Sequence, residues 1–500
     1  MQPLVRNEPQ RPGPHQDEQS LQSPEIWTLA AAIVLIAFYF ATSLYISAHR
    51  LLWVDEIATA VVTRLPGGLA TIWRAAAQGV APLPPTYFMM VRLFDDFLGH
   101  SDFAMRLPSA LAMMAGLLLT FDCARRLTDG LHGLIALSVL TCSLLPYYGH
   151  EARSYSLYFM FASLSLWIWV RDENDSRRAA VSFGIVFLLA VAMHYYAILC
   201  LVPYLIWELW NWRPWRLPSR KIMGALLGVA CAAAFLWASI QAGRRLYPPH
   251  YWSRPSLEIL RTILDGLFPD GLFLIALIVL WIAWAGSRDR AIPLLLLPMK
   301  SGERVGWFFL FIPLAGYILA QMAHAFQLRY VIGALPGVAV AFSCWLWRNL
   351  WSLRRASLGV FLILATWGAA KQAIATRDPN RFYYSPVRQM LSMEDVLHND
   401  GKRYFVVCNQ ARYGEATYYS KHPDDYALLL LPSVQGYWTH ELKTVAQYHP
   451  MQIWTLEDLK QHARETALLM PVESNLDSLQ QAGIRATMHF TKPIAIYYLE

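Results

Sequence analysis

Residues 26–48 read IWTLAAAIVLIAFYFATSLYISA, 23 positions without one charged side chain. A helix needs roughly 20 such residues to cross a hydrocarbon layer about 30 Å thick, and this run is long enough. Comparable windows follow at about 104–124, 131–148, 154–170, 179–193, 195–212, 222–242, 270–286, 304–323, 328–347 and 356–375. Two of them meet at His194-Tyr195 with almost no loop, and Ala291–Met299 has the length of a half-span. The expected fold is therefore a membrane all-α bundle of about 11 transmembrane helices, within a range of about 10–13.

Composition agrees with that reading. The chain is 56% hydrophobic and only 15% charged, where soluble proteins carry about 25% charged residues. The formal charge of +7 is not a nucleic-acid signature, because of where it lies. From Arg377 onward 12 Lys+Arg face 14 Asp+Glu, a balance of −2, which leaves +9 for residues 1–376. That excess sits in the short loops between apolar windows, at Arg125-Arg126, Arg171/Arg177/Arg178, Arg213/Arg216/Arg220/Lys221, Arg288/Arg290/Lys300/Arg304 and Arg348/Arg354/Arg355. Basic loops mark the cytoplasmic side. With an odd number of spans the N-terminus is then cytoplasmic and residues 377–500 are extracytoplasmic.

The expected organisation has three parts. Residues 1–24, rich in Pro, Gln and Arg, form a disordered cytoplasmic tail too polar for a signal peptide. Residues 25–376 form the membrane module. Residues 377–500 form a small soluble α/β domain, with apolar runs at Tyr404–Cys408, Tyr426–Leu431, Ala467–Met470 and Ile494–Leu499 as candidate strands. The first outer loop, 49–103, is long and aromatic. Leu69, Ile72, Trp73 and Ala76 recur at helical spacing, as do Tyr87, Met90, Val91 and Phe94, so two interfacial helices are expected there. Cys123, Cys142, Cys200, Cys231 and Cys344 lie in or beside apolar spans and Cys408 stands alone in the soluble domain, which predicts buried free thiols rather than disulfides.

Charged groups at the outer ends of spans carry the chemistry. Asp55-Glu56 follows the first span in the apolar setting Leu-Leu-Trp-Val-Asp-Glu. The pair reads either as interfacial charges reaching for water or as a carboxylate base whose surroundings tune it. The hairpin tip Tyr147-Tyr148-Gly149-His150-Glu151-Ala152-Arg153-Ser154-Tyr155 packs acid, base and cation into one turn. Arg153 runs against the positive-inside trend, a cost that an anionic headgroup or phosphate would offset. Arg244, Arg245 and Arg329 stand at outer span ends for the same reading, whose alternative is contact with lipid headgroups. Arg64, Arg106, Arg254 and Arg261 are also outside. His194 and His324 lie at outer ends without metal-ligand spacing.

Read together, Trp53-Val54-Asp55-Glu56, Pro84-Pro85-Thr86-Tyr87-Phe88, Arg106-Leu107-Pro108-Ser109-Ala110, His150-Glu151-Ala152-Arg153-Ser154-Tyr155 and Arg329-Tyr330 before Pro336 occur in a familiar order. Over residues 26–350 the chain resembles the GT-C membrane glycosyltransferases, in their protein-mannosyltransferase-like and aminoarabinose-transferase-like branch. The resemblance implies transfer of a sugar, with inversion, from a polyprenyl-phosphate donor to an acceptor outside the bacterial cytoplasmic membrane. The acceptor is a glycolipid, a polysaccharide or a protein. It implies Asp55 as general base supported by Glu56, Glu151 as a second acid or a metal ligand beside His150, and Arg153, Arg244, Arg245 and Arg329 on the donor phosphate. Trp53, Tyr87, Tyr155, His194 and Tyr330 would line the substrate groove. Relatives carry His or Lys just before the Pro-Pro pair, and Leu83 stands there in this chain, which shifts phosphate binding to the arginines. The rival reading is a lipid or glycan transporter. Transporters place ionisable groups near the bilayer midplane and show internal repeats. Here the charges gather at one interface and no repeat is visible.

Overall fold

A chain crossing hydrocarbon must satisfy its backbone N–H and C=O groups internally, which helices do within a single segment. The computed structural model describes residues 22–81, 83–213, 217–246, 255–286, 299–350, 354–380, 386–431 and 445–500. Each apolar window falls on helix in it, the first spanning Gln22–His49. Among the described residues five helices are long and apolar enough to cross a membrane: Ile26–His49, Asp102–Leu127, Ser301–Met322, Leu328–Leu350 and Arg354–Arg377. Others are shorter, notably the 13-residue Gly130–Cys142, in which all but Leu131 is buried. The expected tail at 1–21 and the expected half-span at 291–298 lie outside the described residues.

Local chemistry sets the helix ends. Ser101 Oγ accepts the Ala104 N–H at 3.1 Å and opens the long helix Asp102–Leu127. Asp129 Oδ1 accepts the His132 N–H at 3.0 Å and starts the next. Two helices, Arg177–Met193 and Arg220–Phe235, touch backbone to backbone: a Cβ at Gly224 or Gly228 would meet the Ala180 or Gly184 carbonyl oxygen at 2.1 Å. Close approach through small residues is how helices associate where lipid gives no hydrophobic drive. Cys231, on the second of them, is exposed rather than buried as expected, because it faces away from this seam into the surroundings of the bundle.

The first loop is helical three times over, at Val54–Thr63, Gly68–Ala77 and Pro85–Leu98. The last two match the expected interfacial helices. Their strongest apolar positions, Ile72, Ala76, Tyr87 and Val91, are fully covered by protein, while Leu93 and Phe97 stay exposed. The helix Val54–Thr63, which carries Asp55 and Glu56, is not among the expected elements.

One buried ion network ties this loop to the bundle. Arg106, fully buried on the helix Asp102–Leu127, donates from Nε and Nη2 to the two carboxyl oxygens of Glu56, each at 2.7 Å. Its Nη1 donates to the Ser47 and Arg50 carbonyls at 2.9 and 2.7 Å and its Nη2 to the Leu51 carbonyl at 3.0 Å. Those carbonyls end the first span, where a helix leaves its last C=O groups unpaired. Arg50 Nη2 donates to Glu56 Oε2 at 2.8 Å and to the His150 carbonyl at 3.1 Å. The Ala152 N–H completes the set on Glu56 Oε1 at 2.7 Å. First span, loop helix and hairpin tip thus meet on one carboxylate.

The C-terminal domain is an α/β unit with a six-stranded sheet in the order β3-β2-β1-β4-β6-β5. Strands β1 (Tyr404–Val407), β2 (Tyr426–Leu429), β3 (Ile453–Trp454) and β4 (Thr466–Leu469) run parallel. β6 (Ile496–Leu499) and β5 (Ala486–Phe490) extend the sheet antiparallel. Phe405, Val407 and Leu469 pack on one face and Val406, Leu429 and Leu468 on the other, as buried parallel strands require. The helix Gln410–Tyr419 lies between this sheet and the loop helix Val54–Thr63, so the domain stands on the same face as the first loop.

Removing one partner of a buried ion pair leaves an uncompensated charge and costs about 3–5 kcal/mol. Arg106→Met is therefore expected to lower the thermal unfolding temperature of the detergent-solubilised protein by many degrees; an unchanged transition would show that the network does not hold the loop.

Candidate active site

Asp55 and Glu56 are neighbours with opposite surroundings. Successive helical residues point about 100° apart, and here one carboxylate turns into the ion network while the other lies between Arg153 and Arg329. Burial alone pushes the Glu56 carboxyl up, but Arg106 and Arg50 outweigh it and hold it well below its usual range. Its hydrogen bonds to Arg106, Arg50, Ala152 N–H and, at 3.3 Å, Trp53 N–H leave it no task as a proton acceptor. The geometry places Glu56 inside the ion network next to Asp55, the residue it is expected to support.

Asp55 stands between two guanidiniums. Its Oδ2 lies 3.0 Å from Arg329 Nη1 and 3.6 Å from Arg153 Nη2, yet makes no hydrogen bond. Arg153 also donates from Nη1 to the Asp55 backbone carbonyl at 3.2 Å. Arg329 comes from the 3₁₀ turn Leu328–Ala334 and sits over the Trp53 and Tyr155 rings at 5.6 and 5.4 Å. Arg153 sits 5.9 Å from the Tyr155 centroid. Aromatic faces stabilise such cations without neutralising them.

Glu151 is fully buried at the hairpin tip, and neither carboxyl oxygen has a hydrogen-bond partner. Burial raises its carboxyl above the usual range and the nearby Glu56 charge adds to this, against the pull of Arg50 and Arg329. His150 beside it is neutral: burial first, then Arg50 and Arg106, push its imidazole well below its ordinary value. Among the described residues no three His, Cys, Asp or Glu side chains gather at ligand spacing, and the Arg50 charge acts on Glu151.

The groove residues assemble around these charges. His194 stacks on Tyr158 at 5.2 Å and lies 5.3 Å from Tyr155 and 6.2 Å from Tyr330. Its Nδ1 accepts the Tyr196 N–H at 3.2 Å, which in a neutral ring leaves the proton on Nε2. That Nε2 is buried without a partner, as are Trp53 Nε1, the Tyr87 hydroxyl, Arg153 Nε and Arg329 Nε. Native proteins leave only a few buried polar atoms unpaired, and these gather around Asp55. The local charge is positive. Arg50, Arg106, Arg153 and Arg329 face Asp55, Glu56 and Glu151, so four cations exceed three acids even with every carboxyl ionised.

One expected site residue stands apart. Arg244 is exposed on the helix Trp237–Leu246, and among the described residues no ion pair joins it to the site carboxylates. The side chain of Arg245 lies outside the described residues. Arg50 and Arg106 were not singled out as partners of Glu56 by sequence, although Arg106 inside an otherwise apolar window was a usable signal, since a charge there needs a partner. Leu83, in the place where relatives carry a cation, is buried in the apolar core.

Residues 83–237 match the sequence profile of the dolichyl-phosphate-mannose-protein mannosyltransferases. No curated protein matches the chain. The fold is similar to that of ArnT from Cupriavidus metallidurans in two crystal structures. The one bound to undecaprenyl phosphate has a TM-score of 0.60 at 12% identity, covering 95% of this chain and 97% of that one. The apo structure has a TM-score of 0.62 at 14% identity, covering 94% and 97%. The profile match thus covers the end of the first loop and the hairpin, and the fold shared with ArnT extends over nearly the whole length of this chain.

Proposed function

We propose that this protein is an inverting glycosyltransferase that moves a sugar from a polyprenyl-phosphate donor to an acceptor hydroxyl, with Asp55 as general base. The observation that carries the reading is Asp55 Oδ2 set between Arg329 and Arg153, whose Nε groups are buried and unused. ArnT of similar fold was crystallised with undecaprenyl phosphate, and a phosphate of that chemistry suits the net positive cleft.

The step follows from the groups present. The acceptor hydroxyl gives its proton to Asp55 as its oxygen attacks the anomeric carbon; the bond from that carbon to the phosphate oxygen breaks, and its electron pair stays with the phosphate. A poor nucleophile gains about 10²–10⁴-fold from such a base. The leaving phosphate needs no proton if cations hold its charge, the task assigned to Arg153 and Arg329. Without donor, Asp55 is the counter-ion of both arginines. A phosphate arriving there competes with it and frees the carboxylate, so the donor readies the base. Tyr155, Tyr87, Trp53, Tyr330 and His194 offer ring faces and hydrogen bonds to the sugar.

Sidedness belongs to the same proposal. Lys221 Nζ donates to the Asp172 carbonyl, Lys300 Nζ donates to the Leu127 carbonyl at 3.2 Å, and Arg348 pairs with Glu303 at 2.6 Å. These contacts gather basic loop residues at the end of the bundle away from Asp55, which supports a cytoplasmic N-terminus with the site and residues 377–500 extracytoplasmic, in a bacterial cytoplasmic membrane.

Asp55→Asn is expected to lower transfer by about 10²–10⁴-fold while binding undecaprenyl phosphate as tightly as the parent protein or more so; transfer near the parent rate removes Asp55 as base. Arg329→Ala should weaken undecaprenyl phosphate binding and cut kcat/KM by about 10²–10³-fold, and an unaltered affinity would take it off the phosphate. Glu151 supplies a pH test. Its folded-state pKa is raised, so the stability it contributes is complete below the usual Glu value and is lost as pH rises through the raised one. Glu151→Gln cannot titrate. Its unfolding temperature should fall progressively less than that of the parent as pH climbs from the usual Glu range of about 4.3; parallel curves would mean that Glu151 keeps its ordinary acidity.

A further inference from the structure

The C-terminal domain meets the first loop through polar groups that converge on the end of one helix. Tyr418 and Tyr419 are the penultimate and last residues of Gln410–Tyr419. Tyr419 Oη accepts the Leu52 N–H at 2.6 Å and donates to Asp102 Oδ2 at 3.3 Å. Tyr418 Oη accepts from Arg64 Nη1 at 2.7 Å and donates to Asp102 Oδ1 at 2.7 Å. The Leu51 N–H is taken by Asn380 Oδ1 at 3.1 Å, just past the last span.

These contacts bracket the catalytic helix. Residues 51–53 link the first span to Val54–Thr63 and belong to no helix or strand. Their backbone donors must find partners elsewhere, and Leu51 and Leu52 find theirs on side chains that follow the membrane module. Leu52 stands three residues before Asp55, and Arg64 is the C-cap of the helix that carries it. Arg64 is held from its other side by Asp95, at 3.0 and 3.1 Å. The middle of the helix is packed as well, with Gly414 facing Ile57 at 3.9 Å from where a Cβ would stand.

We propose that Tyr418 and Tyr419 are positioning residues for Asp55: the C-terminal domain clamps both ends of the segment 52–64 and so sets where the carboxylate lies against Arg153 and Arg329. This rests on the reading of Asp55 as the base. The clamp acts on geometry alone, since neither tyrosine touches Asp55. A displacement of about 1 Å in a reacting group lowers rate on the order of 100-fold, so a modest shift of the helix has a large effect. The domain is thereby a working part of the transferase.

The test compares Tyr418→Phe and Tyr419→Phe with Tyr448→Phe in the full-length protein. Tyr448 donates to Gln78, a contact of the same domain that lies away from the segment 52–64. Sugar transfer in membranes, affinity for undecaprenyl phosphate as probe, and hydrogen exchange of the amides of residues 51–58 are read for each. Tyr419→Phe should slow transfer about 10- to 100-fold, leave undecaprenyl phosphate affinity unchanged and raise exchange at 51–58, with Tyr418→Phe in the same direction. Tyr448→Phe should leave all three as in the parent. Parent-like transfer in both clamp variants, equal loss in Tyr448→Phe, or unaltered exchange would overturn the proposal. If the parent protein itself transfers no sugar, the reading of Asp55 fails, and exchange at 51–58 still judges the clamp.

Discussion

The Glu56 carboxylate, sealed from water between Arg106 and Arg50, is the interaction on which the site depends. Charges in a low-dielectric interior are costly unless paired and fully hydrogen-bonded. This one meets that condition by drawing partners from three elements. Arg106 brings the end of the first span with it, Arg50 brings the hairpin carbonyl of His150, and the Ala152 N–H brings the tip itself. Residue 55 inherits its place from residue 56. Because helix geometry turns adjacent side chains about 100° apart, one carboxylate anchors while its neighbour is presented to the cleft.

The cleft beyond it is built on the opposite principle. The Glu56 carboxylate has all its partners, whereas around Asp55 polar atoms are left over: ring nitrogens, a tyrosine hydroxyl and guanidinium Nε groups, with an excess of positive charge. Polar atoms left unpaired in a native interior cost free energy, so their concentration beside Asp55, with its excess of cations, is what supports the reading of this region as an anion site.

Much of this was legible in the sequence where a single physical constraint acts locally. The bilayer demands long apolar helices, and every apolar window from 26–48 to 356–375 is helical. Asp55 and Arg153 stood out because charge beside apolar sequence needs a reason. What sequence could not reveal were partnerships across distance. Glu56 is bound by Arg106 at a separation of 50 residues and by Ala152 at 96, and no local pattern distinguishes it from Asp55. Arg244 looked equivalent to Arg329, yet one is exposed and the other lies against Asp55. In the C-terminal domain the expected runs became β1, β2, β4 and β6. β3, with two residues, and β5, with three of its five residues exposed, carry too little apolar signal to be seen.

The buried helix Gly130–Cys142 has a consequence for the lipid. Thirteen residues rise roughly 20 Å at 1.5 Å each, about 10 Å short of a hydrocarbon layer. The chain turns soon afterwards into the tip that carries His150, Glu151 and Arg153. Such a turn need not stand clear of the hydrocarbon layer. Under the proposed function, a phosphate at the end of an isoprenoid tail would meet it with the tail still dissolved in the membrane, and the work of pulling a long hydrocarbon chain into water would not arise.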